Sequence, residues 1–216
     1  MRRRCWVVKL GGSLAEWPDL RRWVGLLAMP RPVDLVVVPG GGPFADQVRA
    51  AQARWKFPGP VAHRMAVLGM EQYALMLCGL SRGRLIPAER PASIRAVLRA
   101  GRTPVWSARA LVFDDARRSR TIAESWDMTS DSLAAWLARR LRADHLVLIK
   151  SARVPGRCAG LRALARAGLV DAAFPRYAAA GRFGVSVVWR EDRALFRRAL
   201  RAGTSGGGMT LVQPPR

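Results

Sequence analysis

The sequence predicts an α/β protein with a mainly parallel sheet and helices on both faces. Three observations lead there. Short apolar runs alternate with segments of helical periodicity along the chain. The first two runs each end in a glycine cluster that leads into a helix. No run among the 216 residues approaches the length of a membrane span.

The first strand is Cys5-Trp6-Val7-Val8-Lys9-Leu10, an apolar run with a β-branched pair. Gly11 and Gly12 let the chain turn sharply and bring backbone N–H groups near a ligand. Ser13 is placed to cap a following helix. Pro18 to Leu27 reads as a helix with Pro18 in its first turn, broken by Pro30-Arg31-Pro32. Leu35 to Val38 is a second strand, running into Pro39-Gly40-Gly41-Gly42-Pro43. A helix from Phe44 to Trp55 follows and ends at Phe57-Pro58-Gly59-Pro60. Val61 to Leu80 is a long helix, apolar on nearly all sides, which implies burial in a core or a subunit contact. His63 and Glu71 read as satisfied polar groups on its surface.

Leu85-Ile86 reads as a short strand and Ser93 to Ala100 as a helix. Thr103 to Trp106 is extended, with Pro104 marking an edge or a strand start. Asp114 to Arg120 is polar and expected to be exposed. Thr129 to Ser132 is rich in cap formers and leads into a helix from Leu133 to Leu141. His145 to Lys150 is a third buried strand. The remainder reads as a helix over 161–167, a loop through Asp171 and Pro175, a strand over 185–189 and a helix over 192–201. A glycine-rich hairpin or loop over 203–208 precedes a last strand, Thr210 to Val212. No repeat or boundary divides residues 1–216, so one domain is expected.

Half of the residues are hydrophobic, which argues against disorder. The net charge of +22 raises nucleic acid as a partner. The arginines are scattered over polar helix faces beside many alanines, however, a composition that GC-rich codons also produce. Small anionic ligands are therefore expected rather than nucleic acid. Cys5, Cys78 and Cys158 form no metal-ligand or CxxC pattern and read as reduced core thiols of a cytoplasmic protein. The basic start is followed by an apolar run that breaks at Lys9 and Gly11, too short for a secretion signal.

Lysine usage points to chemistry. Lys9, Lys56 and Lys150 are the only lysines, and two of them end apolar strands. An ammonium is a compact point charge that arginine's planar fork does not imitate. A lysine beside exposed amides at a helix N-terminus suits phosphate. A tight turn or a flexible loop is the alternative for each glycine cluster. Two strand–glycine–helix junctions within the first 45 residues favour phosphate. Asp131, just ahead of an apolar helix feeding a strand that ends in Lys150, can orient a catalytic lysine; Asp127 reads as a cap or turn former. A P-loop, GxGxxG and the protein-kinase signatures are all missing from the sequence. Two histidines argue against a histidine-rich metal site.

Val8-Lys9-Leu10-Gly11-Gly12-Ser13, Val38-Pro39-Gly40-Gly41-Gly42 and the block from Asp127 to Ala135, in this order, resemble the amino acid kinase family. Acetylglutamate, uridylate, aspartate and isopentenyl phosphate kinases are among its members. The resemblance covers nearly the whole chain. It implies a three-layer αβα sandwich with a mainly parallel central sheet, and ATP-dependent phosphoryl transfer assisted by Mg²⁺. It also implies that Lys9 contacts the phosphoryl group in flight and that Asp131 positions lysine. Gly11, Gly12 and Ser13 would line the nucleotide phosphates, while Gly40, Gly41, Gly42 and Thr129 would cradle the acceptor. One departure matters: where the family has a Thr-Asp pair after the third strand, this chain reads Ile149-Lys150-Ser151. Lys150 and Ser151 are expected on the nucleotide side, with Lys150 as a second, catalytic cation.

His63 to Tyr73 and Thr129 to Ser132 resemble the branch near the archaeal aminomethylfuran-methyl-phosphate kinases of methanofuran synthesis. A phosphomonoester acceptor in one-carbon metabolism is implied. Two alternatives stand beside the kinase. A non-catalytic nucleotide or anion binder would hold ATP without turning it over. A basic nucleic-acid binder would show salt-sensitive DNA binding that ATP does not alter. The apolar helix over 61–80 suggests a homo-oligomer.

Overall fold

A computed structural model describes residues 3–154, 160–205 and 209–213. Its first half comprises β1 (Cys5–Leu10), a 3₁₀ turn (Gly12–Leu14), α1 (Leu20–Ala28), β2 (Asp34–Pro39), α2 (Gly42–Trp55) and α3 (Gly59–Leu80). Then come β3 (Leu85–Ala88), α4 (Pro91–Arg99), β4 (Thr103–Trp106) and α5 (Arg109–Arg118). The second half holds α6 (Ser130–Leu141), β5 (His145–Lys150), α7 (Leu161–Arg166), α8 (Phe174–Ala179), β6 (Gly184–Trp189), α9 (Arg193–Ala202) and β7 (Thr210–Gln213).

Among the described residues, seven strands form one sheet in the order β3-β4-β2-β1-β5-β6-β7, and of its pairs only β6–β7 is antiparallel. Helices cover both faces, as expected of a mainly parallel sheet whose central strands are apolar on both sides. On one face Val7, Val36, Val38, Leu146 and Leu148 pack against Leu133, Ala134 and Leu137 of α6 and Phe174 of α8. On the other, Trp6, Val8, Leu10, Leu35, Val37 and Val147 pack against Trp23 and Leu27 of α1 and Phe196 and Leu200 of α9. The long α3 serves both layers, with Val67 and Met70 in the first and Tyr73, Ala74 and Leu77 in the second. The result is the expected three-layer αβα sandwich.

Several local readings change. Asp114 to Arg120 forms the end of α5 and the turn after it, with residues 117–120 exposed as expected but Asp115 buried. Asp115 is buried because its carboxylate accepts from Ile122 N at 2.8 Å and Thr121 Oγ1 at 2.7 Å. The expected loop through Pro175 contains α8, with Pro175 in its first turn, where a missing N–H is harmless. Helix α3 begins at Gly59 with Pro60 in its first turn, and α1 begins after Pro18. Pro104 lies near the start of β4, which is flanked by β3 and β2 and is not an edge. Cys158 and residues 206–208 of the glycine-rich segment lie outside the described residues. Among the described residues, no helix is long and apolar enough to cross a membrane.

Candidate active site

The site forms where β1, β2 and β5 end. Side chains alternate along a strand, so Lys9 shares the face of Val7, and Lys150 the face of Leu146 and Leu148. The register sets Lys9 opposite Leu148 and Val38. Both lysines therefore point toward the layer that holds α6. Asp131, in the first turn of α6, lies between them.

Lys150 Nζ donates to Asp131 Oδ2 at 2.6 Å. Lys9 Nζ lies 2.9 Å from Oδ1 as an ion pair, off the hydrogen-bonding direction. All three groups are buried, with side-chain exposures of 6% for Lys9, 6% for Asp131 and 12% for Lys150. Burial alone would raise the Asp131 carboxyl; the charges of Lys150 and Lys9 outweigh it and hold the group at about 2. Burial pulls the Lys150 ammonium down to about 8, with Asp131 opposing the shift and Lys9 adding to it. One carboxylate between two ammonium groups leaves net positive charge in a dry site, which suits an anion.

The glycine clusters interlock. A Cβ on Gly12 would lie 2.4 Å from Gly42 N, and one on Gly40 2.4 Å from Gly12 N. A Cβ on Gly11 would lie 2.9 Å from Ile149 O, and Gly42 has φ +55. The loops after β1 and β2 thus cross at backbone contact, which only bare residues allow. Gly42 opens α2, whose first N–H groups have no intrahelical acceptor.

A cavity of about 240 Å³ opens beside this crossing. Gly12, Ser13, Gly41, Gly42, Thr129 and Ser130 line it at the loops, and the rest of its wall comes from α2, α3, α6 and Trp126. Ser13 does not cap a helix. It sits inside the 3₁₀ turn, and its hydroxyl donates to Ser151 Oγ at 2.9 Å, tying the loop after β1 to the one after β5. The Ser151 carbonyl in turn accepts from Trp189 Nε1 at 3.1 Å.

Residues 4–153 match the model of the amino acid kinase family. The chain belongs to the amino acid kinase family. Solved structures with this fold include uridylate kinase from Archaeoglobus fulgidus, at 14% identity and a TM-score of 0.64, covering 91% of this chain and 96% of that one. UMP kinase from Ureaplasma parvum follows at 11% and 0.64, covering 88% and 91%. Carbamate kinase from Giardia aligns at 12% and 0.59, covering 99% of both chains. Among curated proteins none matches significantly.

In this amino acid kinase fold the expected site residues come together in two groups. Lys9, Asp131 and Lys150 form the ion cluster, and Gly12, Ser13, Gly41, Gly42 and Thr129 line the cavity. Gly11 and Gly40 lie at the loop crossing. Residues that sequence reasoning missed complete the frame. Asp171 accepts from Thr129 N at 3.0 Å, Thr129 Oγ1 at 2.8 Å and Ser132 N at 3.0 Å, and also from the Ser132 hydroxyl. It caps α6 from a distant loop and so fixes the turn that carries Asp131. Trp126 donates to Gln52 Oε1 at 2.7 Å and carries the Arg49 guanidinium 4.2 Å above its ring. His63 is a correction: it is buried in the cavity wall rather than satisfied at a helix surface. Glu71 is satisfied as expected, accepting from Arg109 N at 3.1 Å.

Proposed function

We propose that the chain is an ATP-dependent small-molecule kinase that transfers the γ-phosphoryl group to a phosphomonoester. One observation carries this reading. Lys9 and Lys150 flank Asp131 at the ends of adjacent strands, beside two interlocked glycine loops and a cavity of about 240 Å³. ATP would lie toward Gly11, Gly12, Ser13, Lys150 and Ser151. The acceptor would occupy the cavity beside Gly40, Gly41, Gly42 and Thr129.

In the transfer, an acceptor oxygen attacks the γ-phosphorus. The bond to the β–γ bridging oxygen breaks, and ADP leaves with that electron pair. Lys9 and the loop amides meet the charge on the moving phosphoryl oxygens, preorganised and out of water. Asp131 keeps the two ammonium groups in place without neutralising both. The described residues hold no cluster of three or more His, Cys, Asp or Glu suited to a metal. The two lysines and the bare amides suit a polyphosphate, so Mg²⁺ would arrive with the nucleotide and neutralise β- and γ-phosphate charge.

The acceptor we favour is aminomethylfuran-methyl phosphate, in cytoplasmic synthesis of a methanofuran-type cofactor. The resemblance of His63 to Tyr73 and Thr129 to Ser132 to that branch supports it. A homo-oligomer is part of the proposal. Val61, Met65, Leu68 and Leu75 are exposed at helical spacing along α3, an apolar stripe suited to a second copy.

Labelled ATP incubated with a panel of phosphomonoesters, carboxylates and alcohols tests the reading. Label in an acceptor supports it. ATP bound but never consumed would favour an anion-binding role, and salt-sensitive DNA binding indifferent to ATP would favour nucleic acid.

A further inference from the structure

A second cavity, of about 470 Å³, lies against the first. Arg49, Gln52, Ala53, Lys56, Phe57 and Trp126 line it. Arg49 and Trp126 line the first cavity as well, so this stacked pair stands between the two. Whatever holds Trp126 therefore decides where the first cavity ends on that side.

Residues 119–129 carry Trp126 from α5 to α6, and the segment is pinned at both ends. At one end Ile122 is buried, and its N–H donates to Asp115. Tyr177 Oη donates to Thr121 O at 2.5 Å. At the other end Met128 is buried, and Ala173 N donates to Asp127 O at 2.9 Å. Residues 123–127 form a more exposed arch between these ends. Glu124 ties the arch to α3: Arg64 Nε donates to its Oε1 at 2.6 Å and Nη2 to its Oε2 at 3.2 Å. Such a fork fixes direction as well as distance. Trp126 ties the arch to α2 through Gln52 Oε1, while Gln52 Nε2 donates to Phe57 O at 3.0 Å. With both ends of that amide engaged, Gln52 cannot turn away without losing two bonds. The Arg49 guanidinium over the ring adds a cation–π contact. Several side chains thus converge on the placement of one indole.

We propose that Trp126 is a partition that limits the size of the acceptor, with Gln52, Arg64 and Glu124 as the positioning residues that set it. The inference rests on the kinase reading above, which puts the acceptor in the first cavity. It makes Trp126 a specificity residue and leaves the nucleotide side untouched.

Ethyl, butyl and octyl phosphates test it, as acceptors in transfer assays and as ligands in calorimetry without ATP. The wild type should prefer ethyl phosphate in both. Trp126→Ala joins the two cavities and should raise the octyl-to-ethyl ratio about tenfold, in kcat/KM and in affinity, with the KM for ATP unchanged. Trp126→Phe keeps a ring beside Arg49 but loses the bond to Gln52, and should fall between. Glu124→Ala and Gln52→Leu should move the ratio the same way by less. The charge swap Arg64→Glu with Glu124→Arg should restore it. Circular dichroism on every variant checks folding. Transfer with no preference for ethyl phosphate, or with an unchanged ratio in folded Trp126→Ala and Trp126→Phe, overturns the partition and leaves the kinase standing. A wild-type ratio in both Glu124→Ala and Gln52→Leu overturns the positioning role. A calorimetric ratio that shifts without any transfer overturns the kinase and leaves the partition. No binding of any of these phosphates by the wild type overturns the inference outright.

Discussion

Lys150 and Asp131 form a buried ion pair at 2.6 Å, although 19 residues separate them in the chain. Strand β5 carries the lysine and helix α6 the carboxylate, and Asp131 extends its second oxygen to Lys9 on β1. The cluster therefore reports the packing of three elements at once.

Removing its centre exposes that dependence. Asp131→Asn leaves two buried ammonium groups without a counter-charge, and breaking a buried pair in this way costs about 3–5 kcal/mol. Urea unfolding at pH 7 should show that loss. The deficit should shrink as pH rises, because without Asp131 the buried Lys150 sheds its proton more readily than in the wild type.

The pH dependence of activity follows from the same lysine. Its folded pKa, about 8, is below its ordinary 10.5. The native state thus binds fewer protons than the unfolded chain between these values, and stability contributed by this group rises with pH across that window. Activity moves the other way. A phosphate-facing Lys150 must be charged, so kcat/KM should fall with an apparent pKa near 8. Lys150→Arg should move that limb to higher pH, and a pH–rate profile of both proteins checks it.

The loop crossing gives a steric prediction with a built-in control. Gly12→Ala pushes a Cβ to 2.4 Å from Gly42 N and should destabilise by about 1–3 kcal/mol or more. Gly25→Ala on α1, where nothing lies within 4 Å, should be neutral or stabilising by up to about 1 kcal/mol. Thermal melts of the two variants side by side are the measurement.

Asp171 is predicted to act through Asp131. Asp171→Ala removes the cap of α6 and should cost about 1–2 kcal/mol. It should also lower kcat more than the KM for ATP, because the lysine cluster loses its fixed reference. Asp171→Asn should recover part of the stability. Steady-state kinetics beside urea titration separates the two effects.

Much of this site was legible in the sequence because its signals are local. Lys9 and Lys150 end apolar runs, and the glycine clusters stand between a strand and a helix. The reason for the glycines was only half visible. They leave amides bare, but they also let two loops cross, and a crossing involves residues 12 and 40–42, remote in sequence. Asp171 was hidden for the same reason: its partners lie 39 and 42 residues away. In a loop, an isolated aspartate looks like any turn former. His63 was misplaced because a histidine on an apolar helix gives no sign of which face it occupies. The α5 segment misled through its charges, since a helix needs only Leu111, Val112 and Asp115 on its buried side to hold its place.

The central claim is that Lys9, the two glycine loops and the Asp131–Lys150 pair converge on a transferable phosphoryl group. Transfer of the labelled γ-phosphoryl of ATP to the best phosphomonoester, compared between the wild type and Lys9→Ala, tests it most directly. The account predicts transfer by the wild type and a fall of about 10²–10³-fold in the folded variant. Equal rates in the two proteins would contradict it.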